Sequence, residues 1–300
     1  MMRSIATQTG RAAAVALCLL APPLPGVAAD NADSADLSDA SRILSVGGSI
    51  TEIIYALGEQ DRLIARDATS TYPEDALKLP DVGYMRALSP EGTLSVDPDG
   101  IIMLEGSGPA EAIDVLREAD IPIVTIPETF DLDGILGKIR AVGAALGVGD
   151  KAETLALHIE RDIRAVMAEA AGGERPRILF VISLQAGKIM ASGTGTAADG
   201  IIRMAGAENA ITGYSGYKQL TDEALVTSAP DIILTMQVDA ADLATGDELR
   251  SLPAIAATPA GKAGRIISMD GAYLLGFGPR TAAAIHDLAL TIRDTPKDEQ

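Results

Sequence analysis

Apolar residues along the chain fall into two patterns. Short unbroken runs predict buried strands: Arg42 to Val46 (RILSV), Leu63 to Ala65, Ile101 to Leu104 (IIML) and Ile121 to Ile126 (IPIVTI). Between them, Ser49 to Leu57 and Glu111 to Ala119 return apolar residues at helical spacing. Ser49 with Glu52 three residues on predicts a capping box at the start of the first helix, and Gly58 ends it. Leu132 to Leu146 and Lys151 to Ala171 predict two further helices, the second with a stripe of Leu155, Ile159, Ile163 and Val166. After Gly172-Gly173 the pattern restarts. Arg177 to Ile182 (RILFVI), Ile232 to Thr235 and Arg265 to Ser268 read as strands, Thr196 to Met204 and Pro279 to Ile292 as helices. Strands alternating with helices predict an α/β protein of two lobes with central parallel sheets, joined by one long linker helix.

The two halves share a signature. Glu91 precedes Pro98-Asp99 by seven residues, with Ile101-Ile102 following; Glu223 precedes Pro230-Asp231 by seven, with Ile232-Ile233 following. Each segment reads as a helical turn, a Pro-Asp corner and a buried strand.

The first residues lie outside this pattern. Arg3 and Arg11 give a positive start, Ala12 to Ala21 is a short apolar run, and Val27-Ala28-Ala29 offers small residues. That is the arrangement of a secretory signal peptide, with the cut expected between Ala29 and Asp30. Leu17 is too bulky for Cys18 to serve as a lipoprotein site. The expected organisation is a signal peptide (1–29), a polar disordered leader (30–41), an N-terminal lobe (42–147), a linker helix (148–172), a C-terminal lobe (173–294) and a tail (295–300). No later stretch reaches membrane-span length, so a soluble, exported, monomeric chain is expected.

Composition narrows the chemistry. The 300 residues carry 24 Lys+Arg against 42 Asp+Glu, a net charge of −18. Removing the leader leaves 22 basic against 42 acidic residues, a net charge of −20, and takes away the one Cys. Nucleic-acid binding, which needs clustered Lys and Arg, is excluded. So are disulfide frameworks and Cys-rich metal modules. Two His leave little for a His-rich site: His158 falls off the linker stripe and reads as exposed, His286 reads as structural. The stretch Gly193 to Gly200 has the wrong spacing for a nucleotide loop, and Thr196 as N-cap with Asp199 explains it better. With no Cys and no Ser–His motif, an extracytoplasmic enzyme is disfavoured, and a ligand carrier with its site between the lobes is favoured. Two exported lobes about a helix point to a periplasmic binding protein.

Tyr84, in Val82-Gly83-Tyr84-Met85-Arg86, sits on a loop before the helix signal Ser89-Pro90-Glu91. Its phenol either packs on the loop or ligates ferric iron as phenolate, with Arg86 near enough to favour the anion. Tyr214 and Tyr217, in a Gly-rich loop, either stack on a flat ligand or serve the loop alone. Arg280 either meets a ligand carboxylate or pairs locally.

Three stretches, GGSITEIIYALG (47–58), TSTYP (69–73) and LPDVGYMRALSPEG (79–92), resemble the haemin-binding periplasmic proteins of bacterial ABC haem importers. Thr196 to Asp199 and Leu275 to Arg280 are similar to that family's second-lobe signatures, and the resemblance covers roughly 42 to 292. It implies two Rossmann-like lobes bridged by one helix, and a haem in the cleft with Tyr84 as axial iron ligand. Arg86 would support the phenolate or a propionate. It implies that Glu91 and Glu223 dock into arginine pockets of an inner-membrane permease; otherwise they are solvated helix-end carboxylates. Some members place a His after the second-lobe strand and hold a second haem. Here Leu184 or Gln185 stands in that region, so one haem per protein is expected. The alternative cargoes are cobalamin or a ferric siderophore. The haem source, an outer-membrane receptor or free solution, stays open.

Overall fold

The computed structural model describes residues 35–294, apart from 239–240 and 243–244. The signal peptide and the tail 295–300 lie outside the described residues.

Every residue of Ile43–Val46 (β1) is buried, as expected of a parallel strand covered on both faces. Leu63–Arg66 (β2), Gly100–Leu104 (β3) and Ile123–Ile126 (β4) join it in a parallel sheet of order β2-β1-β3-β4. Gly48–Ala56 (α1) leaves β1 through Gly47-Gly48. Gly47 has φ 111°, and a Cβ there would lie 2.6 Å from the Leu104 side chain. At Gly48 a Cβ would lie 2.6 Å from the Thr69 carbonyl oxygen, so the turn admits no side chain at either position. Beneath it, the buried Asp67 carboxylate accepts from the Gly47 N–H (2.9 Å), the Thr69 hydroxyl (2.7 Å) and the Ser70 hydroxyl (2.7 Å).

Pro90–Leu94 (α2) begins at the Ser89 cap, and Ala110–Glu118 (α3) links β3 to β4. Leu132–Ala145 (α4) and the 22-residue Gly149–Ala170 (α5) complete the first half. At 1.5 Å per residue, α5 is about 33 Å long. Its buried face is Ala152, Ala156, Ile159 and Ile163, packed against α4 and the last helix.

The second sheet departs from the all-parallel expectation. Arg177–Gln185 (β5) turns directly into Lys188–Ser192 (β6), an antiparallel hairpin, and β6 pairs antiparallel with Tyr217–Leu220 (β8). Ala197–Met204 (α6) and the short Glu208–Asn209 (β7) lie between them in sequence. The parallel part is β5 with β7, with Ile232–Val238 (β9), and β9 with Ile266–Asp270 (β11). Ala241–Asp242 (β10) adds an antiparallel edge to β9. Asp222–Ser228 (α7), three short helices (α8–α10, Gly246–Ser251, Pro253–Ala256 and Pro259–Lys262), Gly271–Leu275 (α11) and Thr281–Asp294 (α12) finish the chain. The hairpin escaped the sequence reading because its turn, Ala186-Gly187, follows a strand whose exposed end is polar and indistinct.

The shared signature of the two halves is a shared geometry. Asp99 donates its N–H to the Arg42 carbonyl (3.0 Å) and accepts the Arg42 N–H (2.8 Å). Asp231 donates to the Arg177 carbonyl (2.8 Å) and accepts the Arg177 N–H (2.8 Å). Two residues earlier, Asp97 and Ala229 both take left-handed backbone, with φ 52° and 41°. Each Pro-Asp corner therefore fastens its strand to the start of the neighbouring Arg-Ile-Leu strand.

Two local expectations need correction. The leader is not disordered throughout: Leu37 is 1% exposed, bonds the Ala145 carbonyl and packs against Gly100. One apolar residue in a polar stretch is enough to anchor it. The capping box at α1 does not form, because Gly47 is the N-cap and carries no side chain. Ser49 and Glu52 are buried and engaged elsewhere.

Candidate functional site

The C-terminal end of β1 runs into α1, whose Ser49 and Glu52 meet Gly278 and Arg280 of the second half; in open α/β sheets the C-terminal ends of the strands are the usual location of a ligand. At the seam, Glu52 on α1 receives Arg280, which donates from Nε to Oε2 at 3.0 Å and from Nη2 to Oε1 at 2.5 Å. The Arg280 guanidinium lies 4.0 Å from the centroid of the Tyr72 ring and 5.2 Å from that of Tyr273. Gly278 comes so close to α1 that a Cβ on it would lie 3.2 Å from Ser49 Cβ. Lys138, fully buried on α4, donates to Glu128 (2.7 Å) and to the Ser49 hydroxyl (3.1 Å). Phe130 and Phe277 meet edge to face with centroids 5.3 Å apart. Burial pushes the Glu52 carboxyl above its ordinary range, against the pull of Arg280 and Lys138. Burial likewise lowers the Lys138 ammonium, against the pull of Glu128 and Glu52.

The Tyr84 loop rises beside this seam. Its backbone is bound on both sides: Ala68 N–H to the Gly83 carbonyl (2.8 Å), Gly108 N–H to the Met85 carbonyl (2.9 Å) and Leu88 N–H to the Gly108 carbonyl (2.8 Å). Met85 and Leu88 are buried as anchors, while Tyr84 is 49% exposed. Arg86 is exposed and forms no ion pair among the described residues. A fixed backbone thus holds out a phenol and an unengaged guanidinium two residues apart.

Across the seam stands Tyr217, at the start of β8. Burial pushes its phenol up, while the Thr196 hydroxyl, the Ala198 N–H and the charge of Arg86 pull it down. Tyr217 therefore meets the N-terminus of α6 and the field of Arg86 from the other lobe. Tyr214 is committed differently. Its hydroxyl donates to the Ala191 carbonyl (3.1 Å), its ring covers Gly193, and the Lys218 ammonium lies 5.3 Å from the ring centroid. Of the pair, Tyr217 lies within the field of Arg86 from the other lobe and Tyr214 packs the sheet edge. Arg280 is likewise spent on Glu52, so its carboxylate partner comes from the other lobe.

The remaining sequence-derived residues lie apart from the cleft. His158 pairs with Asp162 (3.3 Å) and His286 with Asp287 (3.3 Å), each at the surface. Leu184 and Gln185 lie at the end of β5, beside the hairpin turn. Glu91 and Glu223 are both exposed, each in the first turn of a short helix capped by Ser89 or Thr221. Among the described residues no group of His, Cys, Asp and Glu could hold a metal ion, and no helix is long and apolar enough to cross a membrane. Glu52, Tyr72 and Lys138 were missed as a cluster by sequence reasoning. The signal available was Lys138, a charge on the apolar face of α4 beside Ile135, Leu136, Ile139 and Val142.

Residues 43–273 match the model of the periplasmic binding protein family. The structure is similar to the periplasmic haem-binding protein BhuT in complex with two haems, with 38% identity, TM-score 0.80, and 85% of this chain and 98% of that chain covered. It is similar to the apo form of the periplasmic haem-binding protein RhuT from Roseiflexus sp. RS-1, with 37% identity, TM-score 0.80, and 85% and 99% covered. A vitamin B12-binding protein of Vibrio parahaemolyticus is 25% identical over 195 residues, 65% of this chain and 70% of that protein.

Proposed function

The chain belongs to the periplasmic binding protein family, and from that premise we propose that it carries ferric haem to an ABC-type permease, with the Tyr84 phenolate as axial iron ligand. Tyr84 carries the reading. It is a half-exposed phenol on a backbone tied down on both sides, in a chain 38% identical to a haem-bound protein. Phenolate is a hard anionic donor suited to Fe(III). Arg86 stabilises the phenolate or meets a propionate, and Tyr217 lines the facing wall. Arg280 holds that wall in place through Glu52.

Haem is cargo here, and binding rather than turnover is the activity of this family. One haem per protein is the stoichiometry we favour. BhuT holds two, but the β5 end and hairpin turn of this chain offer Leu184, Gln185, Ala186 and Gly187, with no imidazole. The protein works in the periplasm as a monomer, after loss of a signal peptide between Ala29 and Asp30. Glu91 and Glu223, equivalent in the two halves, dock it to the permease. The haem reaches it from an outer-membrane receptor or from solution.

The test is a titration of the purified mature protein with ferric haem, followed in the Soret band. A high-spin, tyrosinate-type spectrum saturating at one equivalent is expected, and Tyr84→Ala should lose most of it. A colourless wild type that binds cobalamin or a ferric siderophore instead overturns the haem reading. Saturation at two equivalents overturns the stoichiometry alone.

A further inference from the structure

Of the large apolar side chains left exposed among the described residues, only Tyr72 (46%) and Tyr84 (49%) are aromatic. They stand on neighbouring loops of the first lobe. The loop after β2 carries Tyr72, and its Ala68 N–H donates to the carbonyl of Gly83, the residue before Tyr84. Beneath that loop, the Asp67 carboxylate accepts from the Thr69 N–H (3.0 Å) and from the hydroxyls of Thr69 and Ser70 (2.7 Å each). Both phenols are therefore carried on fixed backbone.

The Tyr72 ring is held as firmly as its backbone. The Arg280 guanidinium of the second lobe covers one face, 4.0 Å from the ring centroid, and is itself set by two bonds to Glu52. Tyr273, which flanks the guanidinium at 5.2 Å, is anchored through its hydroxyl to Asp287 (2.9 Å). An exposed ring ordinarily samples several rotamers, and a ligand that touches it must stop that motion on binding. Here the ring is stopped before any ligand arrives. A cation behind one face also draws the π electrons toward itself, which leaves the open face electron-poor. Such a face favours an electron-rich π surface in offset stacking. The deprotonated porphyrin ring of haem is a surface of that kind.

We propose that Tyr72 is a specificity-determining residue of the cleft, its open face stacking on the macrocycle while Tyr84 takes the iron. Resting on the haem reading above, this division gives the ring and the metal separate recognition residues.

Metal-free protoporphyrin is the probe, because it has no iron for Tyr84 to ligate. Titrated into the purified mature protein and followed by its own emission, it should bind saturably. Tyr72→Leu should weaken it about fivefold to tenfold, the ordinary worth of an aromatic contact. Ferric haem should weaken by a similar factor in the Soret titration. Tyr72→Phe, which keeps the ring, should restore both. In the wild type, the Tyr72 ring proton signals, assigned by their loss in Tyr72→Phe, should move upfield in the ring current of the added macrocycle. That shift does not depend on the leucine variant folding, and a residue that only braced Arg280 would not give it. Four results would each overturn the proposal and leave the haem reading intact: ferric haem bound without metal-free protoporphyrin, unmoved ring signals, wild-type affinity for metal-free protoporphyrin in Tyr72→Leu, or equal losses in Tyr72→Leu and Tyr72→Phe. A wild type that binds neither ferric haem nor metal-free protoporphyrin would overturn both.

Discussion

Glu52 and Arg280 stand 228 residues apart in sequence and meet in a bidentate ion pair that joins the two lobes. Both side chains are largely withdrawn from water, at 8% and 24% exposure. Breaking such a pair from one side strands a buried charge, at a cost of about 3–5 kcal/mol. Arg280→Met should therefore lower unfolding free energy in urea by an amount of that order. The double variant Glu52→Gln, Arg280→Met should recover a large part of it. The sign with pH follows from the raised Glu52 pKa. The folded state holds this proton more tightly than the unfolded chain, so stability falls as pH rises through the carboxylate range. In Arg280→Met, where the attraction is gone, that fall should steepen. A variant whose loss is independent of pH between about 4 and 7 would contradict this account.

Lys138 should report in the alkaline range. Burial lowers its pKa in the folded protein, whereas the unfolded side chain keeps its proton to the ordinary value of 10.5. The unfolded state then binds more protons, and stability from this group rises with pH up to that value. Subtracting the pH profile of Lys138→Met from that of the wild type should expose this rise. A flat difference profile would mean that the ammonium is not desolvated.

The Asp99 corner should fail at low pH. Burial raises the Asp99 pKa, but the N–H groups of Ser41 and Arg42 and the Ser41 hydroxyl outweigh it, and the net effect is a lowered value. A depressed folded pKa stabilises above the ordinary 3.8 and is lost as pH falls through the folded value. Asp99→Asn should cost about 1 kcal/mol or less at pH 7, since the group is well solvated. It should also flatten the acid limb of the unfolding curve. Asp231→Asn removes the acceptor of the Arg177 N–H in the matching corner and should cost about 1 kcal/mol at pH 7, followed by circular dichroism.

Tyr214 and Tyr217 should separate in ligand titrations. Tyr214→Phe removes a bond to Ala191 and should leave haem affinity within about twofold, a shift of less than 1 kcal/mol. Tyr217→Phe removes a hydroxyl beside Arg86 and the α6 N-terminus, and should weaken binding about tenfold, or 1.4 kcal/mol. Equal effects from the two substitutions would argue against placing Tyr217 in the cleft wall.

Glu91→Lys with Glu223→Lys should abolish haem uptake in cells while leaving the Soret titration of the purified protein intact. Paired charges of this kind set encounter rate and register more than fold stability. Unchanged uptake would remove the docking role.

The first sheet and the linker helix were legible because strand runs such as RILSV and IIML and the stripe Ile159–Ile163 satisfy burial by period alone. The Tyr84 loop was legible from its motif. Arg86 and Tyr217 were named from sequence, but their meeting across the lobes depends on tertiary placement. Glu52 was misread as a capping residue for the same reason: its partner lies at the other end of the chain, and spacing cannot show it. The β5–β6 hairpin was missed because a turn of Ala186-Gly187 between a polar strand end and a short strand leaves little periodicity to read.

The Glu52–Arg280 pair also bears on timing. If the Glu52–Arg280 pair stays closed when cargo enters, Glu91 and Glu223 should keep nearly the same separation in the empty and the loaded carrier. A permease that gauged only that separation would accept both, and pull-down of permease by empty and haem-loaded protein should then be equal. Any preference for full carriers must be read at the cleft mouth, where the cargo itself, rather than the posture of the protein, announces that delivery is worth making.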